Sequence, residues 1–564
     1  MATKKSNSTR SFLNSTTNVL AILNIVVLFI IPYFQRGALQ NNVLVVYTLV
    51  NIGVYLFLNL NDLFSKGLKK TNIFDYLPYG VIALGGYLVF TNPEYFLLYI
   101  SLKSLIIVIK KFLLYAFEGK LWHAIISNPA ISLMISFLLV IIVGALVLML
   151  PIATASSEAM SFIDALFTST SATCVTGLIV EDTGSFFSLF GQIVILILIQ
   201  IGGLGIMTIS TAFALIFGRK LTAKLELVMQ NVMGESNRLN LFQLLKYVIA
   251  ITILFETTGA FFLYLTFRNI YPSMLKAIYY SVFHSVSAFC NAGFALYSDS
   301  FESLATNINI NLVITSLIIF GGLGFVVIMD VKRNLFGKGR LKRLSLHSKI
   351  VITSTAVLII SGIIGFFISE YNNTMQGMSF GNRMMSSYFQ SVTCRTAGFN
   401  TIAQGSLSYS SILLSIIFMF IGASPGSTGG GIKTTTFAII VLSMFSILTG
   451  KSNVSAFKKK IPVHEIKEAI SLIGISIGFL MLLLFTLFIV SNGSFQEITF
   501  EAFSAFGTVG LSMGFTNSLN FAGKIIIILL MYLGRIGPLT ILYALAQRVV
   551  KKRVNYLEEN ISIG

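Results

Sequence analysis

The stretch SATCVTGL at residues 171–178 is small, polar and uncharged, yet it lies between long apolar runs. Close variants recur as SAFCNAGF at 287–294, SVTCRTAGF at 391–399 and SAFGTVGL at 504–511. Their glycines, Gly177, Gly293, Gly398 and Gly510, stand 116, 105 and 112 residues apart. A phenylalanine precedes the glycine by ten residues in three copies (Phe167, Phe283, Phe500) and by nine in the third (Phe389). A second glycine follows at 25, 28, 24 and 24 residues: Gly202, Gly321, Gly422 and Gly534, within IGGLG, FGGLG, IGASPG and LGRIG. Chance likeness between apolar segments does not preserve such offsets. Internal repeats in a membrane chain imply symmetry about an axis.

The chain is suited to a membrane. It has 564 residues, 55% hydrophobic and 11% charged, with mean hydropathy +0.85; a soluble domain carries about 25% charged residues. The apolar residues fall in blocks long enough to cross a hydrocarbon core as helices. Spans are predicted near 18–34, 43–60, 74–91, 95–117, 130–150, 191–217, 247–267, 311–331, 349–369, 411–421 with its continuation, 468–490 and 523–547. Lys103, Lys110 and Lys111 also allow the span at 95–117 to lie on the membrane surface. The net charge of +18 follows from basic clusters in alternate loops, such as Arg219/Lys220/Lys224, Lys458/Lys459/Lys460 and Lys551/Lys552/Arg553. Acidic residues such as Glu158, Asp164, Asp299 and Glu497 occupy the other loops. The positive-inside rule then puts both termini in the cytoplasm of a multi-pass protein of the plasma membrane. No basic segment has a folded domain of its own around it, so nucleic acid is not an expected partner. Three cysteines, Cys174, Cys290 and Cys394, make no disulfide framework. Cys174, Cys290 and Cys394 instead match Gly507 of the fourth copy, which reads as a small-residue requirement.

Every unit after about residue 121 runs out, dips and returns, so the four share one orientation and their axis stands normal to the membrane. A short helix starting near Phe167 would dip in, and the loop would climb back. Irregular backbone at that depth survives only when it is buried in protein or lines a watery cavity. Four such loops aim carbonyls at one axis, and rings of carbonyl oxygens replace the water around a permeating cation. Glycine adopts the backbone angles this requires. The expected liganding carbonyls are those of Val175, Thr176 and Gly177, of Asn291, Ala292 and Gly293, of Thr396, Ala397 and Gly398, and of Thr508, Val509 and Gly510. Arg395, beside the third loop, has to point away from an ion. His284 reads as a hydrogen-bonded structural residue, the four phenylalanines as packing, and Asp330 and Lys332 as solvated residues at a helix end.

TCVTGL, NAGF, RTAGFNT and TVGLS in that order, with SPGSTGGGIKTTT after the third, resemble the Trk/Ktr/HKT superfamily of potassium transporters. The likeness covers roughly residues 122–564 and points to the bacterial Ktr membrane subunit. It implies an all-α fold of four pseudo-fourfold helix–pore loop–helix repeats around an ion pore. The repeats fall at 121–225, 226–345, 346–460 and 461–564, after an N-terminal extension of about four helices over 1–120. It also implies passive potassium uptake, with K+ as the transported ion and no bound cofactor. A homodimer is implied too, with ATP or ADP acting only through a separate cytosolic nucleotide-binding regulatory ring and with membrane lipid around it. In this family glycine in all four loops goes with potassium preference, and serine in the first loop marks sodium-conducting relatives.

The segment 423–436 (ASPGSTGGGIKTTT) cannot sustain a helix across a bilayer. The resemblance makes it an intramembrane gate loop, with Ser424, Gly426, Gly429, Gly430, Gly431 and Lys433 as gating residues; a kink without gating is the structural alternative. Ile432 between Gly431 and Lys433 breaks the phosphate-loop pattern. Arg535 lies inside the fourth returning span; the resemblance makes it an electrostatic barrier under the filter, near the gate loop, and a structural pair with Glu256 is the alternative. A sodium or non-selective monovalent cation pore stays open as an alternative, as does a secondary carrier. The chain carries no catalytic constellation of an enzyme in its spans.

Overall fold

A computed structural model describes residues 129–156, 158–216, 241–336 and 344–537, all within one compact unit spanning 128–564. The spans expected near 18–34, 43–60, 74–91 and 95–117 lie outside the described residues, as do the basic clusters at 219–224 and 548–553.

Four times over, a long helix is followed by a short helix, a glycine loop and another helix. The first set is α1 (Pro129–Leu148), α2 (Phe162–Thr173) and α3 (Leu189–Ile216). The second is α4 (Leu241–Ile270), α5 (Met274–Phe289) and α6 (Ile308–Leu323), continued by α7 (Phe325–Phe336). The third is α8 (Leu346–Glu370), α9 (Phe380–Thr393) and α10 (Tyr409–Phe420), continued by α11 (Thr434–Leu448). A small hairpin of β1 (Ser455–Ala456) and β2 (Lys459–Lys460) leads to α12 (Val463–Val490), α13 (Phe495–Gly507) and α14 (Phe521–Ile536).

Among the described residues, three helices are long and apolar enough to cross a membrane, or four if the bent pair α6–α7 is one span. Their outer faces carry exposed aliphatic and aromatic side chains, for example Leu254 and Phe261 on α4, Ile360 and Ile368 on α8, and Leu482 and Phe485 on α12. An apolar face of that extent suits hydrocarbon and not water.

Each short helix opens with a serine. Ser161, Ser273, Ser379 and Ser494 accept from the backbone N–H three residues on, and Ser494 completes a capping box with Glu497. The first of these helices begins at Phe162, a turn and more before the expected start at Phe167. Phe167 sits inside the helix, because the cap at Ser161 already satisfies its first N–H groups. Phe167, Phe283, Phe389 and Phe500 are all fully buried, as packing residues should be.

The returning helices are not continuous. The span expected over 311–331 is bent by 96° at Gly324, which has φ +92. Gly205 breaks the helical path inside α3 (φ +85), and among the described residues α14 ends at Gly537 (φ +82). Three residues earlier in each, a glycine lets the helix touch the end of its short helix. A methyl group at Gly202 would fall 2.0 Å from the carbonyl oxygen of Thr173, at Gly321 2.0 Å from that of Phe289, and at Gly534 1.9 Å from that of Phe506. In the third unit the partner is different: Gly422 meets the oxygen of Gly430, because residues 422–433 leave the helix and fold under it.

Candidate functional site

The four glycine loops follow directly from the C-termini of α2, α5, α9 and α13. A helix C-terminus carries roughly half a negative charge, so four such ends favour a cation where they converge.

The loops share one backbone path. Val175, Asn291, Thr396 and Thr508 have φ of 57, 60, 69 and 51, and two residues later Gly177, Gly293, Gly398 and Gly510 have φ of 95, 72, 79 and 94. This alternation turns successive carbonyls the same way, and a side chain in the left-handed region is costly at about 1–2 kcal/mol. The N–H groups point back to the short helices. Thr176 N donates to Ser171 O at 2.8 Å, Ala292 N to Ser287 O at 2.8 Å, Ala397 N to Thr393 O at 3.0 Å and Val509 N to Ser504 O at 2.9 Å. Gly177 N and Gly510 N donate to the hydroxyls of Ser171 and Ser504, each at 3.1 Å. Among the described residues, none of the twelve expected liganding carbonyls accepts a hydrogen bond.

The loops close into a ring. A methyl group on Gly177 would meet Ala292 O at 2.5 Å, on Gly293 Ala397 O at 2.8 Å, on Gly398 Val509 O at 2.3 Å, and on Gly510 Thr176 O at 2.1 Å. Each glycine thus abuts the carbonyl of the residue just before the next glycine, and the fourth returns to the first. Asn291 and Thr396 hydrogen-bond at 3.1 Å, joining the second and third loops.

The loop 422–433 packs against this ring. Gly429 and Gly430 leave no room for a side chain, since their added methyls would lie 2.2 and 2.4 Å from the hydroxyls of Thr396 and Thr508. Gly430 N donates to Thr508 Oγ1 at 3.1 Å and Gly431 N to Gly534 O at 3.3 Å. Thr428 donates its hydroxyl to Phe289 O at 3.1 Å, and its N–H goes to Gly321 O at 3.2 Å. Ser424 N donates to Gly322 O at 3.1 Å, its hydroxyl accepts from Thr434 at 3.0 Å, and Gly426 O accepts from Phe325 N at 3.0 Å. Lys433 Nζ holds Gly429 O at 2.8 Å.

Arg535 is buried and donates to the carbonyls of Thr428 and Gly202, tying the fourth unit to this loop and to the first unit. It makes no ion pair with Glu256 among the described residues; Glu256 instead lies 3.9 Å from the Cys290 thiol. That pairing is therefore corrected: two carbonyls, not a carboxylate, hold the guanidinium. Asp330 is corrected as well. It is 6% exposed, accepting from Ser345 N at 2.9 Å and Ser348 Oγ at 2.7 Å and pairing with Arg333 at 3.0 Å. Lys332 is exposed as expected. Arg395 is buried, and its Nε has no hydrogen-bond partner among the described residues. Cys174, Cys290 and Cys394 are buried free thiols, and a methyl at Gly507 would fall 2.3 Å from Met419 O, so the fourth position has room for glycine alone.

Sequence reasoning missed Thr428 and the breaks at Gly205, Gly324 and Gly537. The last glycine of IGGLG, FGGLG and LGRIG was the available signal for the breaks; for Thr428 there was none beyond its place in a glycine-rich run.

An apolar helical body with outward-facing aliphatic and aromatic side chains, enclosing a ring of uncharged loops, is that of an integral membrane protein. The family model for TrkH, a cation transport protein, matches residues 103–552, and the chain belongs to that family. It is an integral membrane protein of an ion-transport family, not an enzyme. It is 41% identical over 439 residues to the Ktr system potassium uptake protein B of Bacillus subtilis, covering 78% of this chain and 97% of that one. The Ktr system potassium uptake protein B of Vibrio alginolyticus is 38% identical over 454 residues, covering 80% and 98%. The potassium/sodium uptake protein NtpJ of Enterococcus hirae is 37% identical over 444 residues, covering 78% and 97%. The crystal structure of the potassium transporter TrkH from Vibrio parahaemolyticus has the same fold, with TM-score 0.60 at 15% identity over 90% of this chain and 97% of that one.

Proposed function

We propose that this protein takes up potassium across the plasma membrane by passive translocation through the ring of glycine loops, which acts as the selectivity filter. The observation that carries the reading is the cyclic contact of Gly177, Gly293, Gly398 and Gly510, each with the carbonyl preceding the next glycine. In this reading the carbonyls of residues 175–177, 291–293, 396–398 and 508–510 ligand K+, and four pseudo-fourfold repeats at 121–225, 226–345, 346–460 and 461–564 surround the pore. An inside-negative potential contributes about 2.3 kcal/mol per charge per 100 mV, enough to drive uptake without a coupled reaction.

The loop 422–433 is the gate: Ser424, Gly426, Gly429, Gly430, Gly431 and Lys433 shape it, and Arg535 latches it. Its many backbone bonds to the other units support a role beyond a kink. Potassium uptake proteins of Ktr systems among the relatives support the ion and a separate regulatory subunit. By the resemblance, the chain is a homodimer with cytoplasmic termini, controlled by a cytosolic nucleotide-binding ring. A relative named for both potassium and sodium uptake keeps sodium in the test.

The test is potassium and sodium uptake in cells lacking their own potassium uptake systems, comparing the parent with Gly177→Ser and Gly398→Ser. Restored growth at low potassium, with a lower potassium-to-sodium ratio in either variant, is the expected result. A parent that transports nothing with its cytosolic partner present, or a ratio indifferent to both glycines, would end the proposal.

A further inference from the structure

The residue after each of the four buried phenylalanines is polar, and its chemistry differs from unit to unit: Thr168, His284, Gln390 and Glu501. None of the four is more than 1% exposed. Buried polar side chains need partners, and in three units the partner lies on the chain that leaves the glycine loop.

Glu501 accepts from Ser512 Oγ at 2.7 Å and from Thr516 Oγ1, two and six residues beyond Gly510. Gln390 and Gln404 exchange two amide hydrogen bonds, at 2.9 and 3.1 Å, and Gln404 stands six residues beyond Gly398. His284 accepts from Leu296 N at 3.1 Å through Nε2, so its Nδ1–H donates to Tyr280 O at 2.7 Å, and Leu296 stands three residues beyond Gly293. In the first unit the matching residues are Thr168 and Thr183, six beyond Gly177, and both buried hydroxyls lack a hydrogen-bond partner among the described residues.

We propose that Glu501, Gln390 and His284 are positioning residues that brace the outgoing end of their glycine loops, and that the first loop, which has no such brace from its own short helix among the described residues and is held farther on, where Gln192 donates to Gly184 O and Phe187 O, is the compliant side of the ring. Resting on the filter reading above, this adds an order of stiffness among the four loops. The carboxylate with two hydroxyls and the paired amides clamp hardest, the single imidazole bond less, the threonines least. A carbonyl cage discriminates between cations by how far its oxygens can move, so the braces act on selectivity through the loops, without touching the ion.

The experiment compares Glu501→Ala and Glu501→Gln with the parent, by potassium-to-sodium uptake ratio and by backbone hydrogen exchange of residues 511–516 in membranes. Glutamine can accept from one hydroxyl and donate to the other, so it preserves both bonds. Loss of a buried hydrogen bond of ordinary strength predicts a ratio lowered about fivefold and faster exchange in Glu501→Ala, with Glu501→Gln near the parent. A second variant, Gln390→Leu with Gln404→Leu, removes both amides together, and with them the bond that Gln404 also donates to the carbonyl of Ile402 at 2.8 Å. It should likewise lower the ratio and loosen residues 399–404. A merely structural role would reduce the amount of folded protein and leave the ratio of what folds intact. Parent-like ratio and exchange in folded Glu501→Ala and in the leucine pair would overturn the braces. A parent without potassium preference would instead overturn the filter reading, and exchange would still decide the braces on their own.

Discussion

Gly510 and Gly514 offer a controlled perturbation, because both sit at φ +94 while their surroundings differ completely. Alanine at either position pays the same backbone strain, about 1–2 kcal/mol. At Gly514 the new methyl meets nothing within 4 Å among the described residues. At Gly510 it falls 2.1 Å from Thr176 O and 2.9 Å from Gly177 Cα. Ordinary contact needs about 3.5 Å, so the first and fourth loops have to part by more than an ångström, and overpacking of this kind costs about 1–3 kcal/mol. Gly510→Ala should therefore be less stable than Gly514→Ala by about that overpacking cost. A shift worth 1.4 kcal/mol in the relative energies of the two ions is tenfold, so its potassium-to-sodium ratio should fall about tenfold. Gly514→Ala should select like the parent. The assay is thermal unfolding of the purified proteins, paired with competitive uptake of the two ions in reconstituted vesicles. Equal stability and equal ratios in the two variants would refute the closed ring, since the contact between the first and fourth loops at Gly510 has no counterpart at Gly514.

Arg535→Ala frees the carbonyls of Thr428 and Gly202 and should raise flux in the absence of the regulatory partner; Arg535→Lys, which cannot fork to two acceptors, should do so in part, as read by uptake kinetics. Glu370 gathers Asn373, Thr374 and both the N–H and hydroxyl of Ser408 at the junction of α8 and α10, so Glu370→Ala should destabilise by about 2–4 kcal/mol with selectivity unchanged in the protein that folds. Cys174, Cys290 and Cys394 should resist a maleimide in the folded protein and label together on unfolding, as mass spectrometry would detect. The Asp164–Lys524 pair joins the first and fourth units near the surface, so Asp164→Asn should cost no more than about 1 kcal/mol in thermal unfolding, and less in high salt.

Much of the site was written in local spacing. The offsets of Gly177, Gly293, Gly398 and Gly510 from their phenylalanines located four matching loops, because a repeated backbone path needs glycine at a repeated place. The serines at 161, 273, 379 and 494 cap the short helices through a bond three residues away, a local signal that the reading from Phe167 passed over. Continuity of the returning helices was not legible. Gly324 lies in an apolar run that reads as a full span, and it bends by 96° because Gly324 and Phe325 pack on the loop at 425–426 from another unit. The company of Arg535 was equally hidden: a carboxylate such as Glu256 is the partner sequence suggests, whereas backbone carbonyls belong to every residue and leave no mark.

The sequence alone settled an apolar helical chain with four like loops and an interrupted third return, since hydropathy and glycine tolerance act over a few neighbouring residues. Only the tertiary structure decided that the loops close on one another in order, that residues 422–433 are pinned against them, and that Arg535 joins three units. Those facts rest on contacts between residues one hundred to more than three hundred positions apart, such as Gly510 with Thr176 and Arg535 with Gly202. Packing brings such residues together, and no local rule of composition or period records it.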